Sequence, residues 1–252
     1  MDISYSNRIQ DENSGVRPLS TVLKTMAVLD VLASSSRGMK LPEIAAKMEL
    51  SRPTAYQRLL TLIEAGWVEQ DHEMRYRLSM HACRIGAAAL EQADLGTRVH
   101  PVLEKLVHRV KETASLAVLD RGVPCIVSRV ESDSVLRAEQ KIGTTMSLEG
   151  SASGRILTAF ADDATLARLR ESGEKLASVE LLEETRAKGY ALSSGYTDSG
   201  VIAIAAPVFG LHGRCMATVS LVMPQTRFDL ETFRDPLIET ARTITKMQQG
   251  ER

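Results

Sequence analysis

The sequence predicts an α+β protein with two domains, and two observations support this prediction. Residues 17–80 contain three amphipathic helical segments followed by a short pair of strands. Beyond residue 112, strand-like and helix-like segments alternate, a pattern typical of helices packed on an antiparallel sheet. With 252 residues and 44% apolar content, the chain is long enough to build two compact cores.

The segment 51–70 carries the strongest local signals in the first domain. Ser51 can cap a helix through its hydroxyl, Pro53 fits in the first turn, and Gly66 can end the helix in a left-handed conformation. The apolar residues recur at i, i+4, i+7 and i+8, so they form one buried stripe. These residues are Ala55, Leu59, Leu62 and Ile63.

The opposite face of this helix is polar and contains no acid, which suits the negatively charged major groove of duplex DNA. A surface helix with a solvated polar face is the alternative. The residues predicted to contact DNA from this helix are Ser51, Arg52, Thr54, Tyr56, Gln57, Arg58 and Thr61.

The segments upstream of this helix have the spacing of a helix-turn-helix. Thr21 to Ala33 predicts a first helix, and Leu41 to Met48 predicts a shorter second helix with Pro42 near its first turn. Glu49-Leu50 then leaves only a tight turn before Ser51.

The segment downstream predicts a β-hairpin, the wing. Residues 67–70 and 74–78 form its arms, and the second arm alternates so that Arg75 and Arg77 point outward, where they can contact phosphates. Three helices and a basic hairpin predict a winged helix-turn-helix that binds double-stranded DNA over residues 17–80, after a flexible tail at 1–16.

The charge of this domain is small. Residues 17–80 hold nine Lys or Arg against seven Asp or Glu, a net of +2, and the whole chain sums to −1. Because non-specific DNA affinity scales with the number of phosphates neutralised, tight binding calls for at least a dimer. We expect the contact to involve Ile85 to Leu90 and the linker helices of residues 81–111.

Several other classes of protein lack support in the sequence. No apolar run of 18 residues or leader is present, which indicates a cytoplasmic protein with no membrane partner. Three widely spaced cysteines argue against a disulfide framework. The stretch 150–154 has Ala152 where a nucleophile elbow needs serine, and the histidines lack metal-ligand spacing. We therefore predict no catalytic residue, metal or cofactor; a hydrolase or transferase built on the second domain is the alternative.

The ordered motifs of the chain resemble those of the IclR-type bacterial transcriptional regulators, from about Pro18 to Phe228. The resemblance implies a linker helix and a GAF-like effector domain over residues 112–252. It also implies dimers that pair into tetramers on operator DNA. The motifs that carry it are Leu41 to Ala45, Ser51 to Gln70, Arg75 to Leu78, Ser153 to Leu157, Gly189 to Ala191 and Gly200 to Phe209.

The resemblance further implies a small-molecule pocket between the sheet and the helix that follows Gly150. Its wall contains no charged residue, so the sequence predicts recognition through hydroxyls, helix-start amides and shape. A small organic acid, lactone or aromatic catabolite fits that description, and we expect a repressor of a catabolic operon rather than an activator. The predicted effector-binding residues are Met146, Leu148, Ala152, Ser153, Ser193, Val201, Ala203, Ser220 and Val222.

Overall fold

A computed structural model describes residues 17–35, 37–92, 95–96, 98–134, 140–194 and 200–250. Its contacts divide the chain into two compact units, and the division falls between Ala89 and Leu90. The predicted α+β class is confirmed. The predicted tail, residues 1–16, lies outside the described residues.

The first unit packs three helices against a small antiparallel sheet. Its helices are α1 (Ser20–Ala33), α2 (Leu41–Lys47) and α3 (Arg52–Glu64). Its strands are β1 (Met39–Lys40), β2 (Val68–Gln70) and β3 (Arg75–Leu78), in the order β1-β3-β2. The core side chains come from all three helices and the sheet: they include Val28, Leu32, Ile44, Leu59, Leu62, Val68 and Tyr76.

Helix α3 begins and ends where the sequence predicts. The Ser51 hydroxyl accepts a hydrogen bond from the Thr54 amide at 3.3 Å, which satisfies one of the free N–H groups at the helix start. Gly66 follows the helix with a φ of 77°, the left-handed conformation that glycine adopts without steric cost. Strand β1 was not predicted, because two residues are too short to show a strand pattern.

The division between the units falls within helix α4 (Met80–Gln92), none of whose residues is buried. The next helix, α5 (His100–Val110), packs into the core of the second unit through Leu103 and Leu106. The predicted separation into linker helices at 81–111 and a domain at 112–252 therefore differs from the observed contacts, which include α5 in the second unit.

The second unit is built on a five-stranded antiparallel sheet in the order β5-β4-β8-β7-β6. None of the helices in the described part of the chain is long and apolar enough to cross a membrane. The strands are β4 (Thr113–Asp120), β5 (Val123–Val130), β6 (Ala191–Ser194), β7 (Val201–Phe209) and β8 (Cys215–Pro224). The α-helices that follow α5 in this unit are α6 (Ala152–Ala159), α7 (Asp163–Glu171), α8 (Val179–Lys188) and α9 (Leu230–Gln248).

Alternation along the strands gives this sheet two different faces. One face is apolar and is covered by α5 and α9; we call it the apolar face. Its fully buried residues include Leu116, Ile204, Val219, Leu221 and Met223, which pack with Leu103 and Leu237 of the helices. The other, the α6 face, packs Ala191 and Ala205 against Ala152 and Ile156 of α6.

Candidate functional site

The exposed face of α3 carries polar side chains that form no hydrogen bond or ion pair among the described residues. Within the described residues, the side chains of Arg52, Tyr56 and Gln57 make no hydrogen bond or ion pair, and Tyr56 is 45% exposed. These side chains offer a guanidinium, a phenol and an amide, all able to contact phosphates or base edges in the major groove. They form the strongest candidate for a nucleic-acid interface.

The hydroxyls predicted on the same face are already occupied. The Ser51 and Thr54 hydroxyls lie 2.8 Å apart as part of the helix cap. The Thr61 hydroxyl donates to the Gln57 carbonyl at 3.0 Å. To reach DNA, each of these groups must share or exchange a local hydrogen bond, so they are weaker candidates than Arg52, Tyr56 and Gln57.

Arg58 points elsewhere than predicted. Its Nη1 donates to the Thr21 carbonyl at 3.1 Å and to the Thr25 hydroxyl at 3.2 Å, which ties α3 to the start of α1. The residue is half-buried. The structure therefore corrects the predicted placement of Arg58 on the groove-facing side. The helical pattern assigns Arg58 to the polar face, but its side chain is long enough to reach α1.

The wing holds its two arginines beside carboxylates. Nε of Arg75 lies 3.2 Å from Oε2 of Glu73, and Nε of Arg77 lies 2.7 Å from Oε1 of Glu69. Asp71 accepts hydrogen bonds from the Glu73 and Arg75 amides, both at 2.9 Å, and these bonds, that from Arg75 above all, lower its pKa. Nη1 of Arg75 also donates to the Gly38 carbonyl at 3.3 Å. A phosphate would therefore bind the remaining N–H donors of each arginine or compete with these partners.

In the second unit, the α6 face of the sheet carries small and polar residues beneath one short helix. Helix α6 contacts all five strands. Across the strands, Ser193 pairs with Ala203, Ala203 with Val222, and Val222 with Thr113. Directly paired residues share a face, so these side chains form one row under α6.

Close packing fixes the start of α6. The Ser151 hydroxyl accepts from the Gly154 amide at 2.9 Å and caps the helix. A Cβ on Gly154 would lie 2.2 Å from the Ser147 carbonyl oxygen and 2.6 Å from Cα of Leu148. Only glycine allows the loop to approach this closely, which gives a physical reason for glycine in the Ser153 to Leu157 motif.

The structure brings most of the predicted effector-binding residues together. Ser193, Ala203, Ser220 and Val222 lie on the α6 face, and Ala152 and Ser153 lie in the first turn of α6. Val201 is two residues from Ala203 on the same strand, while Met146 and Leu148 belong to the loop before α6. The hydroxyl of Ser193 is engaged, since it donates to the Gly150 carbonyl at 2.6 Å.

The expectation of an uncharged wall is wrong for this face. Arg129 of β5 pairs directly with Ser115 of β4, and Ser115 pairs with Ser220, so all of them share the α6 face. The Arg129 side chain is only 4% exposed. Sequence reasoning missed this cation because an arginine in an edge strand usually faces water, and because a register shift after Leu116 changes the alternation of β5 relative to β4.

A cavity of about 480 Å³ lies elsewhere in the second unit. Its polar rim includes Asp162, Arg168 and Arg214, and Cys215 lies in its wall. Asp162 caps α7, and its hydrogen bonds to Thr165, followed by the nearby Arg214, lower its pKa. Burial raises the pKa of Cys215 to about 12, so this thiol does not ionise near neutral pH. No predicted effector-binding residue lines this cavity.

No cluster of three or more His, Cys, Asp or Glu side chains that could hold a metal ion occurs among the described residues. The stretch 150–154 forms the cap and first turn of α6 rather than a strained turn after a strand, and Ala152 at its centre is buried. Its place in the fold therefore offers no exposed nucleophile.

Comparison with known proteins agrees with this geometry. Residues 87–246 match the family described as bacterial transcriptional regulator IclR C-terminal, and residues 21–72 match the IclR helix-turn-helix domain. The HTH-type transcriptional regulator BhcR of Paracoccus denitrificans is 32% identical, over 93% of this chain and 88% of that protein. The transcriptional repressor IclR of Escherichia coli is 25% identical, over 93% of this chain and 92% of that protein.

The crystal structure of Pseudomonas aeruginosa HmgR superposes with a TM-score of 0.75 and 28% identity, covering 92% of this chain and 100% of that one. The matching families are transcriptional regulators and not enzymes. The alternative of a hydrolase or transferase is therefore set aside. The chain is a member of the IclR family of bacterial transcriptional regulators, with a DNA-binding helix-turn-helix domain followed by the C-terminal domain of that family.

Proposed function

We propose that this regulator is a ligand-responsive repressor of a catabolic operon in the bacterial cytoplasm. The observation that carries the proposal is the contrast within the second unit between a sheet face whose buried residues are aliphatic and an α6 face that buries small residues together with hydroxyls. A face used only for stability has no need of buried hydroxyls, because burying them costs free energy unless they are bonded.

In the proposed mechanism, α3 lies in the major groove of the operator. Arg52, Tyr56 and Gln57 contact base edges and nearby phosphates, and the wing arginines Arg75 and Arg77 contact the flanking backbone. A single domain with a net charge of +2 neutralises few phosphates. High affinity then depends on two or more copies binding together, and a symmetric dimer would read a palindromic site.

The effector binds between α6 and the sheet. Ser153, Ser220 and the first-turn amides of α6 provide hydrogen bonds, while Ala203 and Val222 provide a small apolar surface. Such a site suits a small organic acid, a lactone or an aromatic catabolite. Repression is the proposed sign of regulation, and the name of the related Escherichia coli protein, a transcriptional repressor, supports it.

Binding of the effector can change operator affinity only through its different affinity for the DNA-competent and DNA-incompetent arrangements. Such a coupling is typically about 1–3 kcal/mol, or roughly 5- to 150-fold in operator affinity. Linkage makes the effect reciprocal, so operator DNA must weaken effector binding by the same factor.

The test begins with sequencing the genomic fragments that the purified protein retains. A retained fragment then serves in mobility-shift titrations with organic acids, lactones and aromatic compounds. We expect release of DNA by members of one chemical class, and no release from Ala203→Phe, whose ring would fill the space beneath α6. Ala164→Phe, at an exposed position of α7, is the matched control.

Two outcomes would contradict the proposal. The first is that no fragment is retained with sequence preference. The second is that Ala203→Phe keeps the full response to the same compound while binding DNA normally. Sedimentation velocity at micromolar concentration tests the oligomer: tight operator binding by a monomer would overturn the proposed dimer.

A further inference from the structure

We propose that Arg129 is the anion-recognising residue of this effector site, so the effector of this regulator is a carboxylate rather than a neutral lactone or alcohol. The inference rests on the proposed function, because it assumes that the α6 face binds a small molecule. It adds a residue and a ligand class that the sequence did not indicate.

The position of Arg129 is set by strand register. Arg129 pairs with Ser115, Ser115 with Ser220, Ser220 with Ala205, and Ala205 with Ala191. This chain of pairs, which we call the Arg129 row, crosses all five strands of the sheet. Direct pairing holds neighbouring Cβ atoms at about 4.5–5.5 Å, close enough for two adjacent side chains to contact one small group.

The burial of Arg129 sets its chemistry. Its side chain is 4% exposed, and its Nε lies 3.6 Å from Oε1 of Glu131, whose own side chain is 51% exposed. A buried guanidinium costs free energy, and in a medium of low dielectric constant it attracts an anion more strongly than a surface arginine does. Its planar set of N–H donors matches the geometry of a carboxylate.

Ser115 supplies an independent observation beside this cation. Its hydroxyl is buried, the residue is 1% exposed, and Oγ has no hydrogen-bond partner among the described residues. Leaving a buried hydroxyl unbonded is unfavourable, so such groups call for an explanation. A carboxylate oxygen next to Arg129 would accept a hydrogen bond from the Ser115 hydroxyl and remove that cost.

The remainder of the Arg129 row defines where the rest of the ligand lies. Ala205 and Ala191 pack against Ala152 in the first turn of α6. The start of a helix carries a partial positive charge, which further favours an anion on this face. The carboxylate would bind at the Arg129 and Ser115 end, and the apolar or hydroxylated part would lie near Ser220, because the alanines of the row are already packed against α6.

The test uses the full chain and matched pairs of probes. Acetate, butyrate, hexanoate, benzoate and 4-hydroxybenzoate are each compared with the corresponding primary amide, and γ-butyrolactone is added as a neutral ester. Thermal denaturation and calorimetry measure binding, since a ligand that binds only the native state raises its melting temperature. The variants are Arg129→Gln, Arg129→Lys and Ser115→Ala, with Arg168→Gln at the rim of the separate cavity as control.

We expect at least one carboxylate to bind the wild-type protein, and its amide to bind about 10- to 100-fold more weakly, as the loss of a charged hydrogen bond implies. Arg129→Gln should remove this preference for the acid, and Arg129→Lys should restore part of it. Arg168→Gln should bind like wild type. Equal binding of acid and amide, an undiminished acid preference in Arg129→Gln, or no binding by any carboxylate would overturn the inference.

The outcomes also separate this inference from the proposed function. A neutral amide or γ-butyrolactone could bind, lose binding in Ala203→Phe and release operator DNA. That result would support the proposed function and contradict the role of Arg129. A carboxylate could instead bind with an acid preference that Arg129→Gln removes, yet leave operator affinity unchanged. That result would support the anion site and contradict the proposed regulation through it. Melting curves of each unliganded variant show whether a loss of binding reflects a loss of folding.

Discussion

The two faces of the five-stranded sheet differ although they share every strand. The apolar face buries aliphatic residues such as Leu221 and Ile204 under α5 and α9. The α6 face buries Ser115, Ser220 and Arg129 under one short helix. The same backbone hydrogen bonds support both faces, so the difference lies entirely in the side chains that alternate along each strand.

This contrast separates stability from recognition. Burial of apolar area provides most of the favourable free energy of folding, so the apolar face carries the stability of the unit. A buried hydroxyl without a partner, such as that of Ser115, stabilises little, and it becomes useful when a ligand accepts its hydrogen bond. Substitutions on the two faces should therefore have different effects, even at adjacent residues.

The largest expected effect separates Leu221 from its neighbour Ser220 on β8. Leu221→Ala should lower the free energy of unfolding by about 2–5 kcal/mol, because it leaves a cavity in the apolar face. Ser220→Ala should change it by at most about 1 kcal/mol, while weakening binding of the effector. Urea denaturation measures the free energy of unfolding of both variants. Equal losses in the two would contradict the division between the faces.

The next effect concerns the close approach of α6 to its preceding loop. In Gly154→Ala, overpacking against the Ser147 carbonyl should cost about 1–3 kcal/mol. Replacing glycine in a helix should recover about 1 kcal/mol of this cost, so the net effect is a loss of stability. Gly86→Ala in α4 is the control, since its new Cβ meets nothing within 4 Å. Thermal unfolding should therefore show a loss for the first variant and a small gain for the second. A gain at both positions would mean that the loop moves freely.

A smaller effect compares two hydroxyls on β4. The Thr113 hydroxyl accepts from the Ser132 amide at 3.1 Å, whereas Ser115 Oγ has no partner among the described residues. Thr113→Val should cost about 1 kcal/mol, while Ser115→Ala should be neutral or stabilising by a similar amount. Calorimetric melting of the unliganded protein checks this difference. A marked loss in Ser115→Ala would show that its hydroxyl is bonded in solution.

The smallest effect depends on pH and concerns the cap of α7. The pKa of Asp162 lies below 3.8, the ordinary value of an aspartate, so its charged form stabilises the folded state. This contribution is present above pH 3.8 and is lost as the pH falls through the lower folded pKa. Asp162→Asn keeps a capping residue but removes the charge. Its melting temperature should fall below that of wild type near pH 6, and the difference should close in acid; a constant difference would exclude the charge as its cause.

Local patterns in the sequence were sufficient for most of the elements. Ser51 and Gly66 gave the ends of α3, and the alternation around Arg75 and Arg77 gave the wing. Such signals are local, because a cap or a turn depends on residues within a few positions of each other. The resemblance to the IclR family added the order of the domains and the approximate place of the effector site, whose binding role stays a prediction.

By itself, the sequence determined the α+β class, the three helices and the hairpin of the first unit to within a few residues, and the family. Only the tertiary structure showed that Arg58 reaches α1, that α5 belongs to the second core, and that Arg129 lies buried beside Ser115. Each of these depends on contacts between residues far apart in the chain, or on a strand register shifted after Leu116. Local periodicity carries no information about such contacts, because they are decided by how the elements pack.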